Sequence, residues 1–456
     1  MTATEAKSLL SIATRKMRRG ALADASSTLA AALELDPANA EAWFLMAEIH
    51  RHEDRTSAAI GCYARGLQVA PGRVDLTIGL ANACSDAGRF DDAAAAFERL
   101  IATDPGNADY LYGCAHALHR ANRTEAALVM LDKAIAIRPD APLQRFSRAT
   151  MLLTLGRYSE GWPEYDTRLA ADLNFHPPDL PCWDGTPAPQ KRLLVMPEGG
   201  YGDIIWAARF LPAIRSMFDS VHVMLPPALR AVMSGLGAID GIHVEGGLAD
   251  AKPRSHDAFD LYCPILSLPA RLNVTDPSAY PPARLTASAQ DDRLAGLLAR
   301  AGEKLRVGII WSGNETYSEN RHRAASLAAF LPLIERPDVQ LFSLQKGRQQ
   351  AVLREAGPGD LIIDTDDFDF TETAALVQAL DLVIMTDSAV AHVAGSLGGP
   401  VWVLLDAAPF WLFGRRGDCT PWYPGMRLFR QSSPGDWPGV MAEVQTALDA
   451  FDRGSP

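Results

Sequence analysis

The sequence contains no run of about eighteen consecutive apolar residues, which excludes an ordinary membrane-spanning helix. Its six cysteines form no CxxC pair and have no nearby histidine cluster, which argues against a zinc site and a disulfide framework. Positive charge is scarce, because 43 Lys and Arg residues stand against 55 Asp and Glu residues and give a formal net charge of −12. We therefore expect no nucleic-acid partner, since an acidic chain without a long basic run is a poor match for a phosphate backbone.

The first residues also lack the features of a secretion signal. Glu5 and Lys7 precede the short apolar stretch, and no small-residue cleavage site follows. This pattern predicts a cytoplasmic protein. The composition, with 48% hydrophobic and 21% charged residues, is that of a folded protein, and 456 residues predict two to four domains.

Prolines recur with a period of 34 residues in the first third of the chain, at Pro37, Pro71, Pro105 and Pro139. Small residues recur in the same register, where two helices must approach closely. They are Ala13, Ala47, Ala81, Ala115 and Ala149, then Ala25, Ala59, Ala93, Ala127 and Gly161. Larger side chains follow the second set by four residues, at Leu29, Tyr63, Phe97, Leu131 and Tyr165.

This period and pattern predict about five tetratricopeptide repeats over residues 1–172. Such repeats stack as helix pairs into an α-helical solenoid and leave a concave surface free to bind a protein or peptide. The alternative is that the repeats only solubilise or position the second half of the chain.

A proline-rich segment over residues 173–190 is expected to form an extended linker, because proline stops a helix and stiffens the chain. Beyond it, short apolar runs alternate with helix-like segments over residues 191–300 and again over 301–456. The alternation predicts two Rossmann-like α/β domains with parallel sheets and a cleft between them. A final helix is expected near residues 437–451.

The first of these domains opens with a strand and a glycine-rich turn. Gly199, Gly200 and Gly202 let backbone approach a ligand, and Asp203 is expected at the start of a helix. Ile205 stands where a dinucleotide fingerprint has its third glycine, so a nicotinamide dehydrogenase is disfavoured.

In the second domain a strand leads into Asp387, Ser388 and Ala389, at the start of a helix that also carries His392, and either Asp387 or Ser388 can cap this helix. The free amides of a helix's first turn form an anion site, and Ser388 and His392 are expected on one helical face. Without further context, an N-capping Asp387 and a structural His392 are the favoured interpretation.

Together, GGYGDIIWAARFLPAIR and DLVIMTDSAVAHVAGSLGGPVWVLL resemble glycosyltransferase family 9, the ADP-heptose heptosyltransferases. Ala389 departs from the commoner glycine of that family. The segments WSGN, NRHRAASL, FSLQKG and PWYPGMRLFRQ resemble bacterial proteins that join tetratricopeptide repeats to such a domain. The resemblance covers essentially the whole chain and implies a GT-B fold, with two Rossmann-like domains after the repeat solenoid.

The resemblance implies direct, inverting transfer of a sugar from a nucleotide sugar, which is a co-substrate, with no other cofactor. Asp203 matches the aspartate that takes the proton of the acceptor hydroxyl. Its alternative role is a helix cap, which would lower its basicity. No Asp-x-Asp pair stands at an equivalent place, so we expect no metal.

We assign donor binding to the helix start, to basic side chains and to the end of a strand that faces the cleft. The residues are Trp311, Ser312, Gly313, Asn314, Arg323, Lys346, Asp387, Ser388, Ala389 and His392. Arg321 and His322 are near enough in sequence to replace Arg323.

A further group is expected to line the cleft, namely Gly200, Tyr201, Gly202, Trp422 and Tyr423. The last two belong to a loop with Trp411 and Arg415, which either covers the donor sugar or is buried by packing.

Three functions stay open. The first is a glycosyltransferase that modifies Ser or Thr of a protein held by the repeats, as in O-GlcNAc transferase and in bacterial repeat proteins linked to flagellin. The second is a heptosyltransferase-like enzyme of lipopolysaccharide or glycan synthesis. The third is a non-catalytic repeat scaffold.

Overall fold

The computed structural model describes residues 2–171, 175–244, 258–289, 292–315, 320–357, 359–365 and 367–452. The chain forms two compact units, Met1–Arg148 and Ala149–Pro456. The predicted domain boundary at residues 172 and 173 lies outside the described residues, and the two units divide well before it. None of the described helices has the length and hydropathy that crossing a bilayer requires.

The first unit is a row of paired helices of 13 to 17 residues. Their bounds are α1 Thr2–Arg18, α2 Leu22–Leu35, α3 Ala40–His52, α4 Thr56–Val69, α5 Val74–Asp86, α6 Phe90–Thr103, α7 Ala108–Arg120 and α8 Thr124–Ile137. Each periodic proline lies just beyond the end of a second helix, where it stops the helix from continuing. Asn39 and Asn107 cap the helices that follow them, since each side chain accepts backbone N–H bonds of the first turn.

The periodic small residues of this unit, from Ala13 to Ala127, are fully buried. The larger periodic residues Leu29, Tyr63 and Leu131 are also fully buried, and Phe97 is nearly so. Small side chains therefore lie where the helices approach, and large ones fill the space beside them. The solenoid predicted from the 34-residue period is confirmed.

The last helices of the repeat pattern are α9 Pro142–Thr154, α10 Tyr158–Tyr165 and α11 Arg168–Ala171. The division between the units falls inside α9, so α10 and α11 belong to the second unit. Helix α10 has eight residues and contains Pro163, whereas α8 has fourteen. Its Trp162 is buried, and the indole N–H donates to the carbonyl of Val274 at 2.8 Å. Helix α10, the second helix of the fifth pair, is thus packed into the α/β part of the chain.

A parallel sheet follows, in which the described part of the chain contributes four strands in the order β3-β2-β1-β4. Its strands are β1 Ala188–Met196, β2 Phe218–Leu225, β3 Gly241–Val244 and β4 Leu261–Pro264, and its helices are α12 Tyr201–Ala207, α13 Leu211–Ile214, α14 Pro227–Arg230 and α15 Leu268–Arg271. Strand β1 begins inside the predicted linker. Trp183, also in that segment, is buried, and its backbone N–H donates to the carbonyl of Tyr262 at 2.8 Å. The end of the linker is therefore part of this sheet's packing.

Within the described residues, the second sheet has seven strands in the order β10-β11-β9-β8-β5-β6-β7, and of these pairs only β10–β11 is antiparallel. Its strands are β5 Leu305–Ile310, β6 Val339–Ser343, β7 Ile362–Asp364, β8 Leu382–Thr386, β9 Val401–Leu405, β10 Cys419–Thr420 and β11 Tyr423–Arg430. Its helices are α16 Asp292–Ala299, α17 Asn320–Arg323, α18 Leu331–Ile334, α19 Arg348–Ala356, α20 Phe370–Ala379, α21 Ala389–Leu397 and α22 Trp437–Asp449. Parallel sheets with crossover helices were predicted, whereas β10 and β11 were missed.

Both sheets reverse their strand order at one place. The chain runs from β1 outward to β3 and then returns to place β4 on the other side of β1. In the same way it runs from β5 to β7 and then places β8 on the other side of β5. Ligands of open α/β sheets bind beyond the carboxyl ends of the strands at such switch points. A ligand site is therefore expected at the segments that follow β1, β5 and β8.

Candidate functional site

Asp203 lies in the first turn of the helix that follows β1. Helix α12 begins at Tyr201 with Gly200 as its N-cap residue, so Asp203 stands at the start of the helix, as predicted. The Gly200 N–H donates to Oδ2 of Asp203 at 2.8 Å. Gly199 has a φ of +74°, and a Cβ atom there would lie only 2.8 Å from the same Oδ2. The two glycines thus allow the loop to fold tightly over the carboxylate.

Burial raises the pKa of Asp203 to about 6. The Gly200 N–H opposes this rise, the negative charges of Asp387 and Glu198 add to it, and Arg323 opposes it. The capping N–H bond lowers the pKa of Asp203, as expected of that role, but burial and two carboxylates outweigh it and the pKa is raised. Near neutral pH this carboxylate is ionised and is a competent proton acceptor.

Asp387 and Arg323 form a pair at the switch point of the second sheet. Asp387 is buried directly after β8, and Nη1 of Arg323 donates to its Oδ2 at 3.4 Å. Burial raises the pKa of Asp387, and the neighbouring guanidinium opposes that rise. The N-cap position of α21 belongs to Ser388, not to Asp387 as one interpretation had it. The buried Oγ of Ser388 finds no hydrogen-bond partner within the described ranges.

His392 lies in α21 and faces α12. A Cβ atom on Gly202 would lie 2.6 Å from Cδ2 of His392 and 3.4 Å from Cα of Ala389, so the two helices touch at a glycine. Nδ1 of His392 lies 3.1 Å from the hydroxyl of Tyr423. Burial, reinforced by the charge of Arg209, lowers the pKa of His392 to about 3. His392 is therefore neutral near pH 7.

The segment after β5 is held by the segment after β6. The backbone N–H groups of Trp311 and Ser312 both donate to Oε1 of Gln345, at 3.2 and 3.1 Å. Trp311 is buried and its indole N–H donates to Gln349, so its role is to fix this turn. Asn314, by contrast, is exposed.

Gly313 lies in the tightest part of that turn. A Cβ atom there would lie 3.1 Å from both Nη2 of Arg323 and Oδ1 of Asn320. The amide of Asn320 donates to Oγ of Ser312 at 3.1 Å, while its buried Oδ1 has no partner among the residues that the structure describes. This turn therefore presents polar atoms beside the Asp387–Arg323 pair.

The other residues predicted to belong to the site include Tyr201, Lys346, Arg321 and His322. Tyr201 is 42% exposed, and its ring meets that of Phe370 at 5.5 Å between centroids. Nζ of half-buried Lys346 lies 5.9 Å from the ring centre of Phe368. Arg321 is exposed and His322 is half-buried on the short helix α17, whereas Arg323 on the same helix pairs with Asp387.

Trp422 and Tyr423 do not line a cleft loop, because both are fully buried. The Trp422 ring packs against Trp206 at 5.1 Å and against Trp411 at 6.1 Å between centroids. Large aromatic rings stabilise the protein most when they are buried, and here four tryptophans, with Trp162, share one cluster. Of the two alternatives for this loop, burial by packing is the one observed.

Three charged residues at this site were not predicted, namely Arg168, Glu198 and Arg209. Arg209 is 2% exposed, donates to the carbonyl of Trp422 at 2.6 Å, and lies over the ring of Tyr423 at 4.5 Å. The sequence carries no local sign of these roles, because the Arg168–Glu198 pair joins residues 30 positions apart and the Arg209–Trp422 bond joins residues 213 positions apart.

Comparisons with known proteins agree on the first part of the chain. The description "tetratricopeptide repeat" matches residues 10–73 and 85–149. Protein FlbA of Caulobacter vibrioides is 29% identical in an alignment of 340 positions, which covers 68% of this chain and 56% of that protein. The match thus spans little more than half the length of this relative. Repeats of this type indicate that the first unit binds a protein partner.

Solved repeat proteins show low overall similarity. MamA from Desulfovibrio magneticus RS-1 is 16% identical with a TM-score of 0.33, over 36% of this chain and 92% of that one. A tetratricopeptide repeat protein from Parabacteroides merdae is 18% identical with a TM-score of 0.35, over 37% of this chain and 67% of that one. The pilF protein of Pseudomonas aeruginosa is 15% identical with a TM-score of 0.33, over 38% and 79%.

Proposed function

We propose that the second unit is a metal-independent, inverting glycosyltransferase of the GT-B type, and that it moves a sugar from a nucleotide sugar to Ser or Thr of a protein recruited by the repeats. The observation that carries the proposal is the position of Asp203. Asp203, with a pKa of about 6, lies after β1 at the switch point of the first sheet. The Asp387–Arg323 pair lies after β8 at the switch point of the second sheet.

The proposed reaction is a single displacement. The acceptor oxygen attacks the anomeric carbon, its proton passes to Asp203, and the bond from that carbon to the phosphate oxygen breaks. The leaving nucleoside diphosphate gains negative charge as this bond breaks. Arg323, Lys346 and the free N–H groups in the first turn of α21 are the groups assigned to hold it.

The protein acceptor is favoured by the repeats. A tetratricopeptide solenoid offers a long surface for a polypeptide, whereas a lipopolysaccharide core would leave that surface without a use. Flagellin is one acceptor of this class. The nature of the acceptor is tested separately from the chemistry, by incubation with a radiolabelled sugar donor and separation of labelled protein from labelled lipid. Label in lipid alone would support the heptosyltransferase alternative.

The chemistry is tested with Asp203→Asn. The amide still accepts the Gly200 N–H, so the variant is expected to fold and to bind nucleotide as the wild type does. Transfer is expected to fall about a hundredfold or more, the scale of a lost general base. Wild-type kcat/KM is expected to fall as the pH drops below about 6, when Asp203 takes up a proton.

Asp276→Asn is the matched control, because Asp276 also accepts a backbone N–H, from Ser278 at 2.9 Å, but it is an exposed residue of a surface turn. A panel of UDP, GDP, ADP and CMP sugars identifies the donor by its hydrolysis. Transfer by Asp203→Asn at the wild-type rate would remove Asp203 from the mechanism. Absence of hydrolysis across the whole panel would favour the scaffold.

A further inference from the structure

A buried ion pair lies behind the loop that carries Asp203. Arg168 in α11 is 7% exposed, and its guanidinium binds both carboxylate oxygens of Glu198, through Nη2 to Oε1 and through Nε to Oε2 at 3.2 Å. The Glu198 side chain is 8% exposed and also accepts the backbone N–H of Leu266 at 3.0 Å. Both charges are thus almost completely removed from water.

Further bonds hold Arg168 in place. Its Nη1 donates to Oδ1 of Asp166 at 2.9 Å, and its Nη2 donates to Oγ of Ser267 at 2.9 Å. Asp166 in turn pairs with Arg271 at 2.6 Å. Well-packed apolar residues in place of a buried ion pair are often as stable or more stable, so such a network is weak evidence of a role in stability. A network of buried charges close to a site points instead to a role at that site.

The position of Glu198 connects this network to Asp203. Glu198 lies between the end of β1 and Gly199, and Gly200 then donates its N–H to the Asp203 carboxylate. Leu266 and Ser267 follow β4, so the network spans the switch point between β1 and β4. Any displacement of Glu198 therefore moves the backbone that holds Asp203.

The charge of Glu198 also acts on Asp203 directly. The charged and titratable groups that face Asp203 are Glu198 on its own loop, Asp387 and Arg323 from the second sheet, Tyr165 from α10, and Tyr423 from β11. Glu198 and Asp387 raise the pKa of Asp203, and Arg323 lowers it. The two carboxylates differ in the origin of their ion-pair partners. Asp387 pairs with Arg323, whereas Glu198 pairs with Arg168 of the helical segment that continues the repeats.

We propose that the Arg168–Glu198 ion pair is a positioning element for Asp203, through which the helical segment α10–α11 fixes both the shape and the charge of the loop that carries it. The inference deepens the proposed function and rests on it where catalysis is concerned. Arg168 and Glu198 are positioning residues, since they act through Asp203.

The test measures the pKa of Asp203 in the full chain, by NMR of Asp-labelled protein with 13C at the side-chain carboxyl carbon. The signal is assigned from its loss in Asp203→Asn. Glu198→Gln keeps the shape of the side chain and removes its charge, so the pKa of Asp203 is expected to fall by about half a unit to one unit. If Asp203 is the base, the acidic limb of kcat/KM moves down by the same amount.

Arg168→Met leaves Glu198 buried without a counter-charge, and such a carboxylate takes up a proton. This variant is therefore expected to lower the pKa of Asp203 as Glu198→Gln does, and the double variant to add no further shift. Arg168→Lys keeps the charge and is expected to leave the pKa of Asp203 within about 0.3 unit of the wild-type value. Thermal unfolding establishes that each variant is folded.

An Asp203 pKa that is unchanged in both Glu198→Gln and Arg168→Met would overturn the inference, whatever their stability. If the carboxyl signal shifts as expected but Asp203→Asn transfers sugar normally, the ion pair acts on Asp203 and the proposed function is what fails. If the pKa of Asp203 shifts and the acidic limb of kcat/KM shifts with it, the results support both the inference and the proposed function.

Discussion

Cδ2 of His392 lies 2.6 Å from the point that a Cβ atom on Gly202 would occupy. Helices α12 and α21 therefore meet at a position where only a hydrogen atom fits. Because α12 carries Asp203 and α21 begins at the proposed diphosphate site, this contact sets the distance between the proposed base and the proposed leaving-group site.

Gly202→Ala is accordingly expected to destabilise the second unit by about 1–3 kcal/mol, the usual effect of overpacking, and to reduce sugar transfer. Urea unfolding and transfer kinetics measure the two effects. Gly200→Ala is the control, since a Cβ atom there meets only Oδ2 of Asp203 at 3.4 Å, an ordinary contact. Equal stability of the two variants would contradict the close helix contact.

His392→Asn is expected to make the protein less sensitive to acid. In the wild type the folded His392 has a pKa of about 3, while the unfolded residue titrates near 6.5, so below pH 6.5 the unfolded state binds a proton that the folded state does not. Stability is therefore lost as the pH falls from 6.5 towards 3. From pH 6.5 to 5 the wild type should lose about 2 kcal/mol more than the variant.

Chemical unfolding of the second unit at several pH values measures this difference. Asp203 titrates in the same range with the opposite sign, because its folded pKa is raised, but its contribution is common to both proteins and cancels in the comparison. Parallel stability curves for wild type and His392→Asn would show that His392 does not titrate as expected.

Arg323→Met is expected to weaken binding of the nucleoside diphosphate by about tenfold to a hundredfold, the scale of a charge-assisted hydrogen bond. Isothermal titration calorimetry with the product nucleotide measures it. Arg321→Met is the matched control, because Arg321 is exposed on the same short helix. Equal losses of affinity in the two variants would mean that the general positive charge of α17, and not the position of Arg323, is what matters.

Trp162→Ala is expected to destabilise the second unit by about 3–5 kcal/mol, as for other large buried aromatic residues. Trp162 packs against Trp206 and Trp411 and donates to the carbonyl of Val274, all in that unit. Scanning calorimetry should show the unfolding of the second unit moved to lower temperature, with the first unit unchanged. Trp43 is half-buried in α3 of the first unit. Trp43→Ala should therefore lower the unfolding temperature of the first unit and leave that of the second unit unchanged.

The repeats were predictable because their signal is local and periodic. Small residues such as Ala47 and Ala81 recur at a fixed spacing, and each is buried where the period requires. The parallel strands were predictable for a similar reason, since buried strands are continuous apolar runs such as that of β8. Strand β11 was missed because Tyr423–Arg430 contains Pro424 and Gly425 and has no regular pattern of buried residues.

The site was only partly predictable. The predicted strand-to-helix turns indicated Asp203 and Asp387–Ser388 as site residues, because strand ends and glycines can be recognised in a sequence. The ionisation of His392 was not visible, since it depends on burial and on Arg209, which is 183 positions away in the chain. The Arg168–Glu198 ion pair could not be predicted for the same reason, because its two residues come together only when the chain folds.

The division of the chain inside α9 has a consequence for protein engineering. Helices α10 and α11 belong to the α/β unit, so these two helices can be regarded as an adaptor that stays with the proposed transferase. Repeat solenoids are built from units that contact only their neighbours. Recognition modules from other repeat proteins can therefore be grafted upstream of α9, with the adaptor kept intact, to redirect the proposed sugar transfer to new polypeptides.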